Sequence, residues 1–214
     1  MNEKEVKEEI KYKMDSICEF LKESTIKMRN DSSDGRINSL LSENNVTDKI
    51  IEEFDFCRDD DNNRGKDFEL WLNSLQKYME VNLKIVESTT LATNISGAEK
   101  FIMNMLWNPN AGSAQTKSIV KKIIEKEEYT EEYTDYILLV YYKDTGNCKW
   151  GSVSQINKNA IICNPANGFQ LKLNDFYMED RYLKEGRDFL LEKYINLLKK
   201  RAKPYLDLME VDLV

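Results

Sequence analysis

Apolar residues recur at helical spacing in the first third of the chain. Within residues 3–29 an apolar side chain stands at every third or fourth position, which predicts one amphipathic helix. The members of this stripe are Val6, Ile10, Met14, Ile17 and Leu21. A similar pattern predicts a second helix over residues 36–54, and the polar run 57–66 is typical of a solvated loop.

The pattern changes at Asp67, where apolar and polar residues begin to alternate. Alternation over 67–73 and again over 79–89, with a short connection between them, predicts a β-hairpin. The apolar run within 136–143 predicts a strand that is buried on both faces. Shorter strands are predicted at 148–156 and on both sides of the turn 164–168, and further helices at about 97–107, about 115–128 and 184–203, the last ended by Pro204.

This order of elements predicts an α/β fold in which helices flank a mixed central β-sheet, with a helical N-terminal segment. The length of 214 residues predicts one domain, with a helical part at 1–64 and a mixed-sheet part at 65–214.

The absence of histidine limits the chemistry that the chain can perform. It excludes Ser-His-Asp and Cys-His catalysis and every histidine-ligated metal site. Hydrolytic chemistry would have to rest on carboxylates, lysines, tyrosines or a hard metal ion.

The net charge of −7 argues weakly against a nucleic-acid partner. The charge is unevenly distributed, since residues 1–66 hold 17 acidic and 12 basic residues, whereas residues 67–214 hold 21 and 19. The larger part of the chain can therefore still present a basic face.

The four cysteines lie far apart and form no Cys-x-x-Cys pair, so we expect reduced thiols in a cytoplasmic protein. The charged start MNEKEVKEEIKYK lacks the apolar stretch of a signal peptide. The sequence contains no apolar run of roughly 18 residues, so we expect no membrane partner.

Polar residues share one face of the predicted hairpin, because residues two apart in a strand point the same way. Folding the hairpin at Leu75–Gln76 sets Asp67 opposite Lys84 and Glu69 opposite Asn82. Directly opposed residues have Cβ atoms roughly 5 Å apart. Glu80 lies on the same face as Asn82 and Lys84, one step back along the strand.

Such a cluster is suited to metal-assisted phosphodiester hydrolysis. Carboxylate and amide oxygens are ligands of Mg²⁺, and a neighbouring lysine can hold or deprotonate an attacking water. The alternative is an ordinary half-exposed hairpin on which Asp67 and Lys84 form a surface ion pair worth roughly 0–1 kcal/mol.

Asp67, then 14 residues, then Asn82-Leu83-Lys84 across a hairpin resembles the PD-(D/E)XK nuclease superfamily, especially the type II restriction endonucleases. The resemblance implies a restriction-endonuclease-like fold with a mixed central β-sheet flanked by helices. It also implies that Asp67 and the side chain at position 82 bind Mg²⁺ and that Lys84 serves the water. A glutamate from a preceding helix often joins such sites, and Glu43, on the predicted helix before the hairpin, is the candidate for that place.

Two residues depart from the family pattern. Lys66 replaces a proline that is often absent. Asn82 stands where the acidic residue belongs, and it offers a carbonyl oxygen without a charge. Some restriction enzymes of the superfamily carry Asn there, and Glu80 or Glu69 would supply the missing charge.

Two segments contain residues of the types that contact DNA. The stretch 108–122 combines a glycine-containing loop with a basic helix, which suits phosphate contacts. Amide and basic side chains within 147–168 are of the kinds that read base edges. The candidates are Gln115, Lys117, Lys121, Lys149, Gln155, Asn157 and Lys158. The alternatives are a solvated amphipathic helix and a turn-rich β-meander.

The resemblance implies a Mg²⁺-dependent endonuclease that hydrolyses both strands of a short double-stranded DNA site. A homodimer is expected, because two strands need two active sites. One alternative is another nuclease of the same superfamily, acting in repair or nicking. The other is a non-enzymatic acidic interaction module of a phage-defence system, which the acidic N-terminal third favours.

Overall fold

The computed structural model describes residues 2–24, 26, 35–59, 68–95, 97–108 and 114–209, with the backbone alone for 35–41 and 207–209. The described chain is a mixed α/β protein with a mixed central β-sheet, flanking helices and an N-terminal helix, as the sequence predicted. It divides into two compact units, the first formed by Met1–Thr90 with Asp135–Val153 and the second by Leu91–Thr134 with Ser154–Val214.

The secondary-structure elements are numbered in chain order. The helices are α1 (Glu3–Glu23), α2 (Gly35–Glu53), α3 (Ala98–Leu106), α4 (Thr116–Ile124) and α5 (Leu183–Met209). The strands are β1 (Cys57–Asp59), β2 (Phe68–Leu72), β3 (Lys77–Val86), β4 (Ala92–Ile95), β5 (Ile137–Tyr142), β6 (Asn147–Ser152), β7 (Ile161–Asn164) and β8 (Gly168–Lys172). Among the described helices, none combines the length and the apolar character needed to span a bilayer.

Helix α1 buries the predicted apolar stripe. Its start is capped by Asn2, whose side chain accepts a hydrogen bond from the amide of Lys4 at 3.2 Å. The predicted end at residue 29 is wrong. Ser24 adopts extended backbone and donates its amide proton to the carbonyl of Phe20, which ends the helix at Glu23.

The first unit contains a five-stranded sheet in the order β1-β2-β3-β5-β6. Only β3 and β5 are parallel neighbours among these strands, and the other pairs are antiparallel. All six residues of β5 are buried, which confirms the prediction of a strand covered on both faces.

Strand β1 corrects the prediction of a loop over residues 57–66. Its three residues pair with β2 in an antiparallel ladder, and Cys57 is buried opposite Leu70. A three-residue strand is too short for alternation to be recognised in the sequence. The rest of the predicted loop, residues 60–66, lies outside the described residues.

The turn between β2 and β3 is held by helix α1. The carboxylate of Glu9 accepts hydrogen bonds from the amides of Asn73 and Ser74, at 2.8 and 2.9 Å, and from the hydroxyl of Ser74 at 2.6 Å. Lys13 pairs with Glu9 at 2.8 Å and donates a hydrogen bond to the carbonyl of Trp71 at 2.6 Å. These contacts fix the position of the turn by a tertiary interaction.

The second unit contains a three-stranded antiparallel sheet in the order β4-β8-β7, together with α3, α4 and α5. Strands β7 and β8 confirm the predicted pair around the turn 164–168. Gly186 lies where α5 meets the backbone of Ser154, and a Cβ at this position would come within 2.5 Å of the Ser154 carbonyl oxygen. Close packing therefore requires a glycine inside this helix.

Helix α5 does not end at Pro204, as the sequence predicted, but continues to Met209. Proline has no amide proton, so the carbonyl of Lys200 loses its helical hydrogen-bond donor at this point. Residues 202–206 are exposed. Water can therefore satisfy that carbonyl and keep the cost of the interruption low.

We expect Glu9→Gln to lower the free energy of unfolding by about 2 kcal/mol near neutral pH, because it breaks a mostly buried ion pair. Burial alone would raise the pKa of Glu9, but the hydrogen bonds from Lys13 and Ser74 outweigh it and lower the pKa from 4.5 to about 2. The stabilisation is therefore present above pH 4.5 and is lost as the pH falls towards 2. Urea denaturation at stepwise lower pH measures the difference.

The matched control is Glu8→Gln. Glu8 lies 3.7 Å from Lys4, with 68% of its side chain exposed, so a change within about 0.5 kcal/mol is expected. Equal destabilisation by both variants, or a difference that does not change with pH, would contradict the role given to Glu9.

Candidate functional site

Strand β3 carries three of the predicted site residues on one face. Glu80, Asn82 and Lys84 alternate with the buried residues Val81 and Leu83, so the two sets point to opposite sides of the sheet. The strand lies between β2 and β5, near the middle of the five-stranded sheet. The site residues therefore project from a strand that is hydrogen-bonded on both sides.

The register of the hairpin differs from the predicted one by two residues. Glu69 lies opposite Glu80, not opposite Asn82, because the turn occupies residues 73–76 and is held there by Glu9. A shift of two residues keeps every side chain on its predicted face, whereas a shift of one would reverse the faces. Glu69 therefore still shares a face with Glu80, Asn82 and Lys84.

Arg58 is a member of this face that sequence reasoning missed. It lies opposite Glu69 in the β1–β2 ladder, and its Nε and Nη2 atoms are each 2.6 Å from Glu69 Oε2. Its guanidinium group also lies 3.6 Å from the centre of the Tyr78 ring. The negative charge of Glu69 is matched by Arg58, which makes Glu69 less suited to a metal than its position alone implied.

Tyr136 is a second residue that the sequence did not single out. Its hydroxyl donates to Glu80 Oε1 at 3.5 Å, and the residue is 8% exposed. The only sequence signal is its place directly before the apolar run of β5. This contact orients the carboxylate of Glu80.

Asn82 and Lys84 sit beside the most apolar strand of the sheet. Asn82 is 2% exposed and lies opposite Leu138, while Lys84 is half-buried and lies opposite Val140. Val140 in turn lies opposite Lys149 of β6. Lys149 therefore shares the face of Lys84 and stands two strands away, roughly 10 Å across the sheet.

Two further residues, Asp67 and Glu43, were predicted to belong to this site. Asp67 lies outside the described residues. Glu43 lies in α2, which packs against β1 and β3, and is half-buried. Within the described ranges no group of three Cys, Asp or Glu residues is placed to hold a metal ion.

The oxygen atoms of the described side chains are nevertheless of the kinds that Mg²⁺ binds. Glu80 offers a carboxylate and Asn82 an amide oxygen on the same face, roughly 7 Å apart along the strand. Mg²⁺ binds through one or two carboxylates and keeps several waters, so it does not require a complete cage of protein ligands. A carboxylate from Asp67 is what such a site still needs.

The predicted DNA contacts fall in both units. Lys149 belongs to the first unit and the other six belong to the second. Gln115 stands at the start of α4 and makes no capping hydrogen bond with its side chain. Lys117 and Lys121 of the same helix are exposed, and Lys121 pairs with Glu125 at 3.7 Å. These side chains are accessible to a charged ligand.

The loop after β6 holds its amide side chains differently. Asn157 is 5% exposed, and its Nδ2 donates to the Tyr177 hydroxyl at 2.6 Å and to Glu179 at 2.5 Å. Its Oδ1 accepts a hydrogen bond from the amide of Asn159 at 2.8 Å. Gln155 is half-buried and Lys158 is exposed. Asn157 therefore has a structural role in shaping this loop.

We expect Asn157→Ala to lower the free energy of unfolding by about 1–3 kcal/mol, because it leaves buried hydrogen-bonding groups without their partner. The adjacent and exposed Lys158→Ala is the control and should change stability by less than about 0.5 kcal/mol. Urea denaturation monitored by circular dichroism compares the two. An Asn157 variant as stable as the wild type would show that the amide contributes no net stability.

No family model matches the chain, and no curated protein matches it significantly. The candidate site is therefore defined by its residues and their geometry. One face of β1, β2, β3 and β6 gathers two carboxylates, a buried amide and basic side chains within a single sheet.

Proposed function

We propose that the protein is a Mg²⁺-dependent endonuclease that hydrolyses phosphodiester bonds in double-stranded DNA at a short specific sequence. One observation carries this proposal: Glu80, Asn82 and Lys84 project from one face of a central strand in a mixed sheet. The spacing of Asn82 and Lys84 is that of the superfamily which the sequence resembles. The restriction-endonuclease-like form of the mixed sheet is part of the same proposal.

The metal would be held by Asp67, by the Asn82 carbonyl oxygen and by Glu80. When bound, Mg²⁺ supplies a Lewis acid that lowers the pKa of water and neutralises phosphate charge. Glu80 is preferred to Glu69 as the second carboxylate, because Arg58 pairs with Glu69 at 2.6 Å. Glu43, on the helix that packs against β3, is the candidate for an outer contact to this group.

Lys84 would act on the water and the phosphate. Its ammonium group can donate hydrogen bonds to the attacking water and to a phosphoryl oxygen, so it holds the nucleophile and offsets developing negative charge. Its position beside Val140 limits hydration on one side and strengthens these interactions. Lys149, on the same face, would contact a flanking phosphate.

Cleavage of both DNA strands at one sequence calls for two active sites, so we propose a homodimer. In the second unit, Gln115, Lys117 and Lys121 would contact the DNA backbone, and Gln155 and Lys158 would read base edges. A nicking or repair nuclease is the second candidate, and the same residues of β3 would serve its chemistry.

We expect Lys84→Ala and Asp67→Ala each to reduce nicking of supercoiled plasmid in Mg²⁺ by more than about 100-fold, because the water loses its partner or the metal its main ligand. Chelation of Mg²⁺ should abolish nicking by the wild type. Gel electrophoresis of plasmid and of unmethylated phage DNA measures both effects. Discrete fragments from the phage DNA would indicate site-specific cleavage, and nicks without fragments a nicking enzyme.

Lys184→Ala is the matched control, since Lys184 is an exposed lysine in the first turn of α5. It should cut as the wild type does. Circular dichroism establishes that each variant is folded. Full cleavage by folded Lys84→Ala or Asp67→Ala would refute the assignment of these residues.

We expect Asn82→Asp to lower the Mg²⁺ concentration that gives half-maximal cleavage, because a carboxylate binds Mg²⁺ more strongly than an amide oxygen does. Asn82→Ala should raise it. Asn174→Asp, at an exposed position outside the sheets, adds the same charge and should leave it unchanged. A Mg²⁺ titration of the nicking rate distinguishes these outcomes. Equal Mg²⁺ requirements in all of these proteins would argue against Asn82 as a ligand.

A further inference from the structure

Two buried cysteines of the first unit face each other across the interface between α1 and β6. Cys18 and Cys148 are 5% and 6% exposed, and they are 130 positions apart in the sequence. The thiol of Cys18 donates towards the sulfur of Cys148, and the two Sγ atoms lie 2.8 Å apart. A disulfide bond is about 2.05 Å long, so the sulfurs need to approach by less than about 1 Å.

A neighbouring contact holds the two elements in the same register. Trp150, two residues after Cys148, donates its indole proton to Asp15 at 2.8 Å, one helical turn before Cys18. The pKa of Asp15 is lowered, because hydrogen bonds from Lys11 and Trp150 outweigh the opposing effect of burial. The hydrogen bond between Trp150 and Asp15 therefore helps to hold the two thiols beside each other.

We propose that Cys18 and Cys148 form a reversible disulfide that joins α1 to β6 under oxidising conditions. The other two cysteines are not placed for this reaction. Cys57 lies on β1, at the opposite edge of the sheet from β6, and Cys163 belongs to the second unit. The pair is independent of the proposed nuclease chemistry, since neither thiol is among its residues.

The reaction balances with a peroxide as the oxidant. Each thiol loses one hydrogen, the two sulfurs together lose two electrons, and one S–S bond forms. Hydrogen peroxide takes up the two electrons and two protons as its O–O bond breaks, and leaves as two molecules of water. A dithiol reductant reverses the change by thiol–disulfide exchange.

The reaction should be slow in the native state. The hydrogen bond from Cys18 and burial both raise the pKa of Cys148, so little reactive thiolate is present near neutral pH. A small oxidant must reach the pair through transient openings of the α1–β6 interface. The bond, once made, would suppress those openings.

The consequence is a covalent attachment of the N-terminal helix to a strand at the edge of the sheet. Strand β6 ends the order β1-β2-β3-β5-β6, and α1 packs against it. Cross-linking of positions so distant in sequence removes much conformational freedom from the unfolded chain. The oxidised protein should therefore melt at a higher temperature than the reduced protein.

The test treats the full chain with hydrogen peroxide just below its melting temperature, blocks the remaining thiols, and maps peptides without reduction by mass spectrometry. A linked pair of peptides containing Cys18 and Cys148 is expected. The melting temperature should rise by roughly 5 °C or more and return on reduction. Cys18→Ser and Cys148→Ser should each lose the linked peptides and the shift, whereas the double variant Cys57→Ser/Cys163→Ser should keep both.

The peptide map of the wild type shows whether Cys18 and Cys148 form a disulfide, even if a Cys18 or Cys148 variant fails to fold. Recovery of both residues as blocked thiols, after oxidation of Cys163 is complete, would overturn the proposal. Linkage of either residue only to a second copy of the chain, or only to Cys57 or Cys163, would overturn it as well.

Discussion

The parallel pairing of β3 with β5 is the constraint on which the first unit depends. A parallel pair cannot be closed by a tight turn, so the chain leaves the sheet after β3 and returns at β5. Most of the intervening residues, Leu91–Thr134, belong to the second unit, which explains how the two units interleave along the sequence. Because β5 is wholly buried, β3 is fixed on that side in both position and direction.

On its other side, β3 is fixed by the hairpin to β2 and by the hydrogen bonds that α1 makes to this hairpin. Glu9 and Lys13 bind backbone groups of the turn and of Trp71, so the helix determines where the hairpin folds. These hydrogen bonds thereby determine which side chain of β2 lies opposite Glu80. A part-buried contact at the turn of the hairpin thereby sets which residues of the candidate site lie opposite each other.

The features that the sequence predicts well are those with a long, local pattern. The stripe of α1 and the apolar run of β5 indicate their own burial, and alternation places Glu80, Asn82 and Lys84 on a common face. The exact register is not local, since it is set by Glu9, 65 residues before Ser74. Strand β1 is too short to show a period, which is why Arg58 and its pairing with Glu69 went unforeseen.

The sequence therefore predicts which side chains share a face of the hairpin better than it predicts which residues lie opposite each other. A register error of two residues moves Asn82 away from Glu69 but leaves both on one side, because the side-chain period of a strand is two. The proposed chemistry requires that these side chains lie on the same side of the sheet, but it does not require one particular cross-strand pair. Of the two carboxylates that the sequence offered, Glu80 is better suited to a metal, because Arg58 pairs with Glu69.

Asn82 is an unfavourable residue for the position it occupies unless it has a task there. It is 2% exposed, on a central strand, opposite the fully buried Leu138. An apolar side chain would extend the packing of β5, whereas a buried amide must be dehydrated and gains little net stability from its hydrogen bonds. Sequences that give up core packing at one position commonly do so at functional sites. Lys84, two residues further on the same face, is half-buried beside Val140, so this face of β3 places two polar side chains in succession against the apolar strand β5.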